Sequence, residues 1–361
     1  MKQGKARYVY PGGNTKRGFH SFYRQGLAGM ERIFILKGGP GTGKSTLIRR
    51  IGAAMLERGY DVEYWICSSD NDSLDGVLIP AIGVAMIDGT APHVVDPQYP
   101  GALESIINLG DHWDEELLAR YKQEIVACCT YISEHFNLAY EKLAEAGALR
   151  EEIAARQAAR RDEEKLARLA SRLSTDIFHP QRDQARHLFS SALTPKGLIR
   201  QAHALSKGYP YRYVLQGAPG SGQAEIFATL ISSAQDSGKE MEIYHCAYDA
   251  QEVELLLFPE IGVAVLNADA LEEGEISPTD QVVDLQSLLM AEGKEEAPQA
   301  KELAAQFDNL VGLAAGFIAQ AKEMHDDLES YYIRSMDFEA VDFVASRVFN
   351  KILGIAAKKQ D

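Results

Sequence analysis

The chain has 361 residues, 46% of them hydrophobic and 25% charged, and its 37 basic and 52 acidic residues give a net charge of −15. This composition excludes a disordered, collagen-like or disulfide-stapled chain, and the acidic excess argues against nucleic acid as a partner. The four cysteines form no C-x-x-C pair and no run of 18 apolar residues occurs, so we expect a reduced, cytoplasmic protein with no membrane partner.

The first elements along the chain are typical of an α/β domain. Apolar runs at 32–36, 62–67 and 84–87 predict strands, and an amphipathic segment between the first two, ending near Gly59, predicts a helix. Strands that alternate with helices favour a mostly parallel sheet flanked by helices. The ligand site of such a sheet is expected at the carboxyl ends of its strands.

Helices follow this region. Apolar residues recur every three or four positions from Leu117, which predicts a long helix ending near Gly147, and a charged helix from Leu149 would form an antiparallel hairpin with it. A similar stripe from Phe307 to Tyr331 predicts a long helix near the C-terminus. We expect each helical tail to pack on its own domain. The alternative is a projecting arm that contacts a protein partner or forms a homodimer.

The chain also repeats itself at an offset of 179 positions. FILKGGPGTGKSTLI from Phe34 aligns with YVLQGAPGSGQAEIF from Tyr213, and PAIGVAMID from Pro80 aligns with PEIGVAVLN from Pro259. The counterparts of the three strands fall at 211–215, 241–246 and 263–266. We therefore predict a tandem duplication. The N-terminal repeat is 1–178 (core about 1–113, hairpin about 114–178), and the C-terminal repeat is 179–361 (core about 179–295, tail about 296–361).

The strongest motif is GGPGTGKST, which follows a predicted strand, opens a predicted helix and fits the phosphate-binding pattern G-x-x-x-x-G-K-[ST]. Its glycines allow backbone N–H groups to face phosphates, and the helix N-terminus adds a favourable dipole. Lys44 should reach the β- and γ-phosphates, while Ser45 and Asp88 should bind Mg²⁺. The predicted nucleotide-binding residues are Gly38, Gly39, Pro40, Gly41, Thr42, Gly43, Lys44, Ser45 and Thr46.

The C-terminal repeat has lost the chemical groups of this motif together. Lys44, Ser45, Thr46 and Asp88 correspond to Gln223, Ala224, Glu225 and Asn267. The residues that shape the turn persist as Gly217, Pro219, Gly220 and Gly222. This coordinated loss links Asp88 to Lys44, and it predicts that only the N-terminal repeat binds a magnesium nucleotide.

Other polar residues near the motif are less specific. Asp70 could position an attacking water, but it persists as Asp249, which favours a structural role such as capping. Cys67 also persists, as Cys246. Further candidates for substrate contact, metal contact or catalysis are Asp72, Asp75, His93 and Asp96. A lone loop histidine such as His93 is more often an ordinary surface residue.

The motif at residues 38–46 together with Asp88 resembles the P-loop NTPase superfamily over most of the first 110 residues. The whole chain is similar to a bacterial family of tandem P-loop ATPases of unassigned pathway. The similarity rests on the intact first motif, the degenerate second one and the strings SSDNDSLDGV and DGTAPHVVDPQYPG. The resemblance implies ATP and Mg²⁺ as cofactors and ATP hydrolysis as the activity. No N-K-x-D or LSGGQ-like string occurs, which disfavours a GTPase and an ABC transporter ATPase. Gly89, in place of a glutamate after Asp88, argues against vigorous hydrolysis.

Three functions remain open from the sequence. The first is a slow or regulated ATPase and nucleotide switch, with Lys44, Asp88 and Asp70 as catalytic residues. The second is a kinase that transfers the γ-phosphoryl group to a small molecule or nucleotide. Its lid would carry Arg150, Arg156, Arg160 and Arg161, although acidic residues among them are typical of a solvated helix. The third is a non-catalytic helical interaction protein. The intact motif and its disabled twin favour the first.

Overall fold

The computed structural model describes residues 3–177, 184–290 and 296–359. Its elements up to residue 177 are β1 (Ala6–Val9), β2 (Gly12–Thr15), β3 (Gly18–Ser21), α1 (Tyr23–Gly26), β4 (Arg32–Lys37), α2 (Lys44–Glu57), β5 (Val62–Ile66), β6 (Leu74–Ile79), β7 (Val84–Asp88), β8 (Glu104–Asn108), α3 (Glu115–Arg120), α4 (Lys122–Ala158) and α5 (Glu163–Ile177).

The remaining elements follow a similar order. They are β9 (Gln184–Phe189), β10 (Ser191–Thr194), β11 (Gly197–Arg200), α6 (Ala202–Ser206), β12 (Tyr211–Gln216), α7 (Gln223–Asp236), β13 (Glu240–His245), β14 (Val253–Phe258), β15 (Val263–Asn267), β16 (Gln281–Asp284), α8 (Glu296–Ser335) and α9 (Phe338–Lys358). Among the described helices, none combines the length and the apolar composition needed to cross a membrane.

Two six-stranded sheets contain most of the strands, and their topologies match. The first has the order β1-β5-β6-β7-β4-β8, and the second has the order β9-β13-β14-β15-β12-β16. In each sheet the third strand, β6 or β14, runs antiparallel to both neighbours, and the other neighbouring strands of the two sheets pair in parallel. The predicted α/β class with mostly parallel sheets is therefore confirmed, and every strand predicted from an apolar run is present.

The long helices differ from the prediction in where they turn. Gly147 does not end a helix, because α4 continues through it to Ala158. A Cβ on Gly147 would meet the side chain of Lys16 at 2.6 Å, so this glycine allows close packing rather than a helix end. The charged segment from Leu149 is divided between α4 and α5 by a break at residues 159–162.

The chain forms two compact units that differ from the predicted boundary at 178/179. The first unit comprises Met1–Gly12, Ser21–Asn137 and Phe317–Asp361, and the second comprises Gly13–His20 and Leu138–Gly316. The terminal helix α9 thus belongs with the sheet built from the first 108 residues. Helix α5 belongs with the sheet built from residues 184–284.

The apolar faces of these helices complete the two cores. In the first unit, Ala345, Val348, Ile352 and Ala356 of α9 join the buried cluster formed by α2 and its sheet. In the second unit, the cluster around α7 includes Leu166, Ala170, Leu173 and Ile177 of α5. The expectation that each tail packs on its own repeat is therefore not what the structure has. An amphipathic pattern shows that a helix buries one face, but it does not identify the sheet that it covers.

Candidate functional site

The loop between β4 and α2, residues 38–43, lies at the carboxyl edge of the first sheet. We call it the first glycine loop. Strand β4 pairs in parallel with β7 on one side and β8 on the other, with Leu36 opposite Asp88. The loop and Asp88 therefore emerge side by side where α/β sheets bind ligands. In the loop, Gly41 and Gly43 have φ angles of 68° and 91°, which a residue with a Cβ adopts only under strain.

Lys44 folds back over the loop that precedes it. Its amino group donates hydrogen bonds to the carbonyl oxygens of Gly38 (3.1 Å) and Gly39 (2.7 Å). The same nitrogen lies 3.6 Å from Oδ2 of Asp88. Lys44 is only 9% exposed, so its charge is held against the loop and the carboxylate at the end of the neighbouring strand.

Asp88 is oriented by its own turn. Its Oδ1 accepts hydrogen bonds from the backbone N–H (2.9 Å) and the hydroxyl (2.6 Å) of Thr90. The hydroxyl of Ser45 accepts from the backbone N–H of Leu74 at 2.9 Å. Mg²⁺ prefers hard oxygen ligands such as carboxylates and hydroxyls, so the chemistry of Ser45 and Asp88 fits this ion.

Asp75 and His93 add two more buried ligands beside Asp88. One ligand atom from each of the three residues lies within 4.8 Å of the others, so they could hold a metal ion together. The hydroxyl of Tyr23 donates to Oδ2 of Asp75 at 2.8 Å, and its ring stacks on His93 with centroids 4.8 Å apart. Burial raises the pKa of Asp75. The expectation that His93 is a surface residue is wrong, because only 6% of it is exposed.

Asp70 makes the contacts of a turn-capping residue. The side chain of Asp70 accepts a hydrogen bond from the backbone N–H of Asp72 (3.0 Å). Its backbone carbonyl accepts one from the N–H of Ser73 (3.1 Å). Lys322 of α8 lies 3.3 Å from its other carboxylate oxygen. In the second unit, Asp249 likewise accepts from a backbone N–H two residues later and pairs with a lysine at 2.7 Å. Both geometries suit the structural role that the sequence favoured.

The remaining candidates near the first loop contact other parts of the unit. Burial raises the pKa of the Cys67 thiol well above its usual range. The carbonyl of Asp72 accepts from Arg49 at 2.7 Å, and the carboxylate of Asp96 pairs with Lys37 at 2.9 Å.

Helix α8 lies directly on the first glycine loop, a feature that the sequence did not reveal. The backbone N–H of Gly41 donates to Oε1 of Glu329 at 3.3 Å. A Cβ on Gly39 would meet the ring of Tyr332 at 2.5 Å, and one on Gly41 would meet the carbonyl of Glu329 at 2.9 Å. No motif marks these α8 residues, because they are far from the loop in sequence and their periodicity indicates only a helix.

The equivalent loop of the second unit, residues 217–222, makes hydrogen bonds similar to those of the first loop. We call it the second glycine loop. The side-chain amide of Gln223 donates to the carbonyls of Gly217 (2.8 Å) and Ala218 (3.1 Å), as Lys44 does in the first loop. The guanidinium of Arg161 pairs with Glu225 at 2.7 Å and donates to the carbonyl of Gly220 at 3.3 Å. An ion pair thus stands at the start of the helix after this loop, where the phosphate of a nucleotide would lie.

The arginines proposed as a kinase lid form ion pairs and hydrogen bonds within the second unit. Arg150 pairs with Glu252 at 2.9 Å, and Arg156 pairs with Glu152 at 2.7 Å. Arg160 donates to the carbonyl of Met290 at 2.7 Å. These pairings favour a role for the arginines in holding that unit together.

Comparisons with family models, curated proteins and solved structures found no match for this chain.

Proposed function

We propose that the first glycine loop binds MgATP and that the protein is a slow or regulated ATPase of the P-loop class, acting as a nucleotide switch. One observation carries the proposal: the Lys44 amino group lies between the loop carbonyls and the carboxylate of Asp88, at the carboxyl edge of a mostly parallel sheet. A bound phosphate would offer this ammonium a stronger partner than two neutral carbonyl oxygens.

Different residues of this site would bind the phosphates and the metal ion. The loop N–H groups and the start of α2 would hold the phosphates, and Lys44 would neutralise charge on the terminal ones. Ser45 and Asp88 would hold the Mg²⁺ ion, which offsets negative charge on the phosphates. Asp75 lies next to Asp88 and would add a carboxylate to the metal site, whereas Asp70 is held by its own turn and by Lys322.

The second unit supports the assignment by contrast. The identical strand order of the two sheets, together with the sequence repeat, favours an origin by duplication. The second glycine loop keeps its glycines, but the neutral Gln223 replaces Lys44, and Glu225, paired with Arg161, replaces Thr46. We infer that this copy is a non-catalytic scaffold. The free cysteines fit a reducing compartment, so we assign the protein to the cytoplasm.

The proposal is tested by measuring phosphate release from MgATP without any added acceptor. We expect slow release by the wild-type protein and none by the double variant Lys44→Gln with Ser45→Ala, which copies the second loop. Equal release by both proteins would refute the assignment of the site. Formation of ADP without free phosphate, only when a small-molecule acceptor is present and becomes phosphorylated, would instead indicate a kinase.

A further inference from the structure

Glu329 of α8 places a carboxylate on the backbone of the first glycine loop. Its Oε1 accepts the N–H of Gly41 at 3.3 Å. Backbone N–H groups of such a loop are the groups that receive phosphate oxygens. The carboxylate therefore occupies the kind of position that an anionic ligand of this loop would take.

The end of α8 is fixed against the region that follows β8, which keeps Glu329 near the loop. The N–H of Asp337, after α8, donates to the carbonyl of His112 at 2.8 Å, and the N–H of Asp114 donates to the carbonyl of Ser335 at 2.7 Å. Tyr332 packs on Gly39 and contacts the ring of Trp113, with centroids 5.8 Å apart. Glu329 thus has a high effective concentration at the Gly41 N–H.

We infer that Glu329 is a built-in competitor of the nucleotide, so that α8 gates the phosphate site. The inference rests on the proposed function. Two anionic oxygens that accept from one N–H repel each other, so a phosphate can bind Gly41 only when the Glu329 side chain has left. One turn earlier on α8, Nδ1 of His325 lies 3.8 Å from Oε1 of Glu329.

The second unit shows that a helix can cover such a loop without a carboxylate. There the backbone of Ala154 in α4 lies against Gly220, as the backbone of Glu329 lies against Gly41. An alanine at this place is therefore compatible with the packing. The change Glu329→Ala copies the second unit, and Glu329→Gln keeps the shape and removes the charge.

The test is the affinity for MgATP, measured by calorimetry on the full chain. We expect Glu329→Gln and Glu329→Ala to bind about tenfold more tightly than wild type, since they lose a charged competitor whose side chain is partly exposed and therefore partly screened. The matched control is Glu323→Gln, an exposed position on the same helix, which we expect to bind within about twofold of wild type.

Three results bear on the inference. Tighter binding by both Glu329 variants, with the control unchanged, supports the gate. If wild type binds MgATP and the Glu329 variants bind equally or more weakly, the gate is refuted while the proposed function stands. If neither wild type nor the variants bind MgATP, the proposed function fails and the gate fails with it.

Discussion

The packing of α9 on the first core predicts a large loss of stability for Ile352→Ala. Ile352 has no exposed surface and belongs to the cluster that contains α2 and its sheet. Removing a fully buried isoleucine side chain typically costs about 2–5 kcal/mol, because apolar burial is lost and a cavity remains. We expect about 3 kcal/mol here. For a unit of roughly 150–250 residues, this lowers the melting temperature by about 6–12 °C.

Scanning calorimetry measures the loss, and hydrogen exchange locates it. We expect the exposed neighbour Lys351→Ala to change stability by less than about 0.5 kcal/mol. In the Ile352→Ala protein, amides of β4 and β7 should exchange faster, and those of β12 and β15 should keep their protection. A loss below about 1 kcal/mol, or deprotection of the second sheet instead of the first, would refute the assignment of α9 to the first core.

Two further predictions concern the loop and the second core. Gly39→Ala should destabilise the first unit by about 1–3 kcal/mol because its Cβ meets the Tyr332 ring. In urea unfolding, adding Tyr332→Ala to the same chain should recover part of this loss. If the losses caused by the two changes simply add, the predicted clash is contradicted. Burial, with His187 and His20 nearby, lowers the pKa of His245 to about 3. Below pH about 6.5, His245 therefore binds a proton in the unfolded chain but stays neutral in the folded chain. The free energy of unfolding accordingly falls, as the pH is lowered towards 3, by up to about 1.4 kcal/mol per pH unit. The change His245→Ile, which copies Ile66 of the first sheet, should make the free energy of unfolding, measured in urea, less dependent on pH between pH 7 and 5. An unchanged dependence on pH would contradict this role of His245.

The sequence predicted the strands that carry strong apolar runs and the helices that follow the two loops. It did not predict β6, because Leu74-Asp75-Gly76 places two residues that are rare in strands at its start. Asp75 lies buried on this strand, next to Asp88.

The parts of the site that the sequence did not predict depend on contacts between distant segments. Local periodicity shows that α8 has an apolar stripe, but it cannot show that Glu329 reaches Gly41. A lone histidine in a loop is usually a surface residue, but Tyr23, from a helix of one turn, stacks on His93 in the fold. These partners become neighbours only when the sheet assembles.

The central claim, that the first glycine loop binds MgATP, is tested most directly by thermal melting with and without the nucleotide. At about 100 times the dissociation constant, MgATP should stabilise the wild-type protein by about 2.7 kcal/mol. Gln223→Ala, at the corresponding position of the second loop, should keep this shift, and Lys44→Gln with Ser45→Ala should abolish it. The same shift in the double variant, or no shift in the wild-type protein, would contradict the claim.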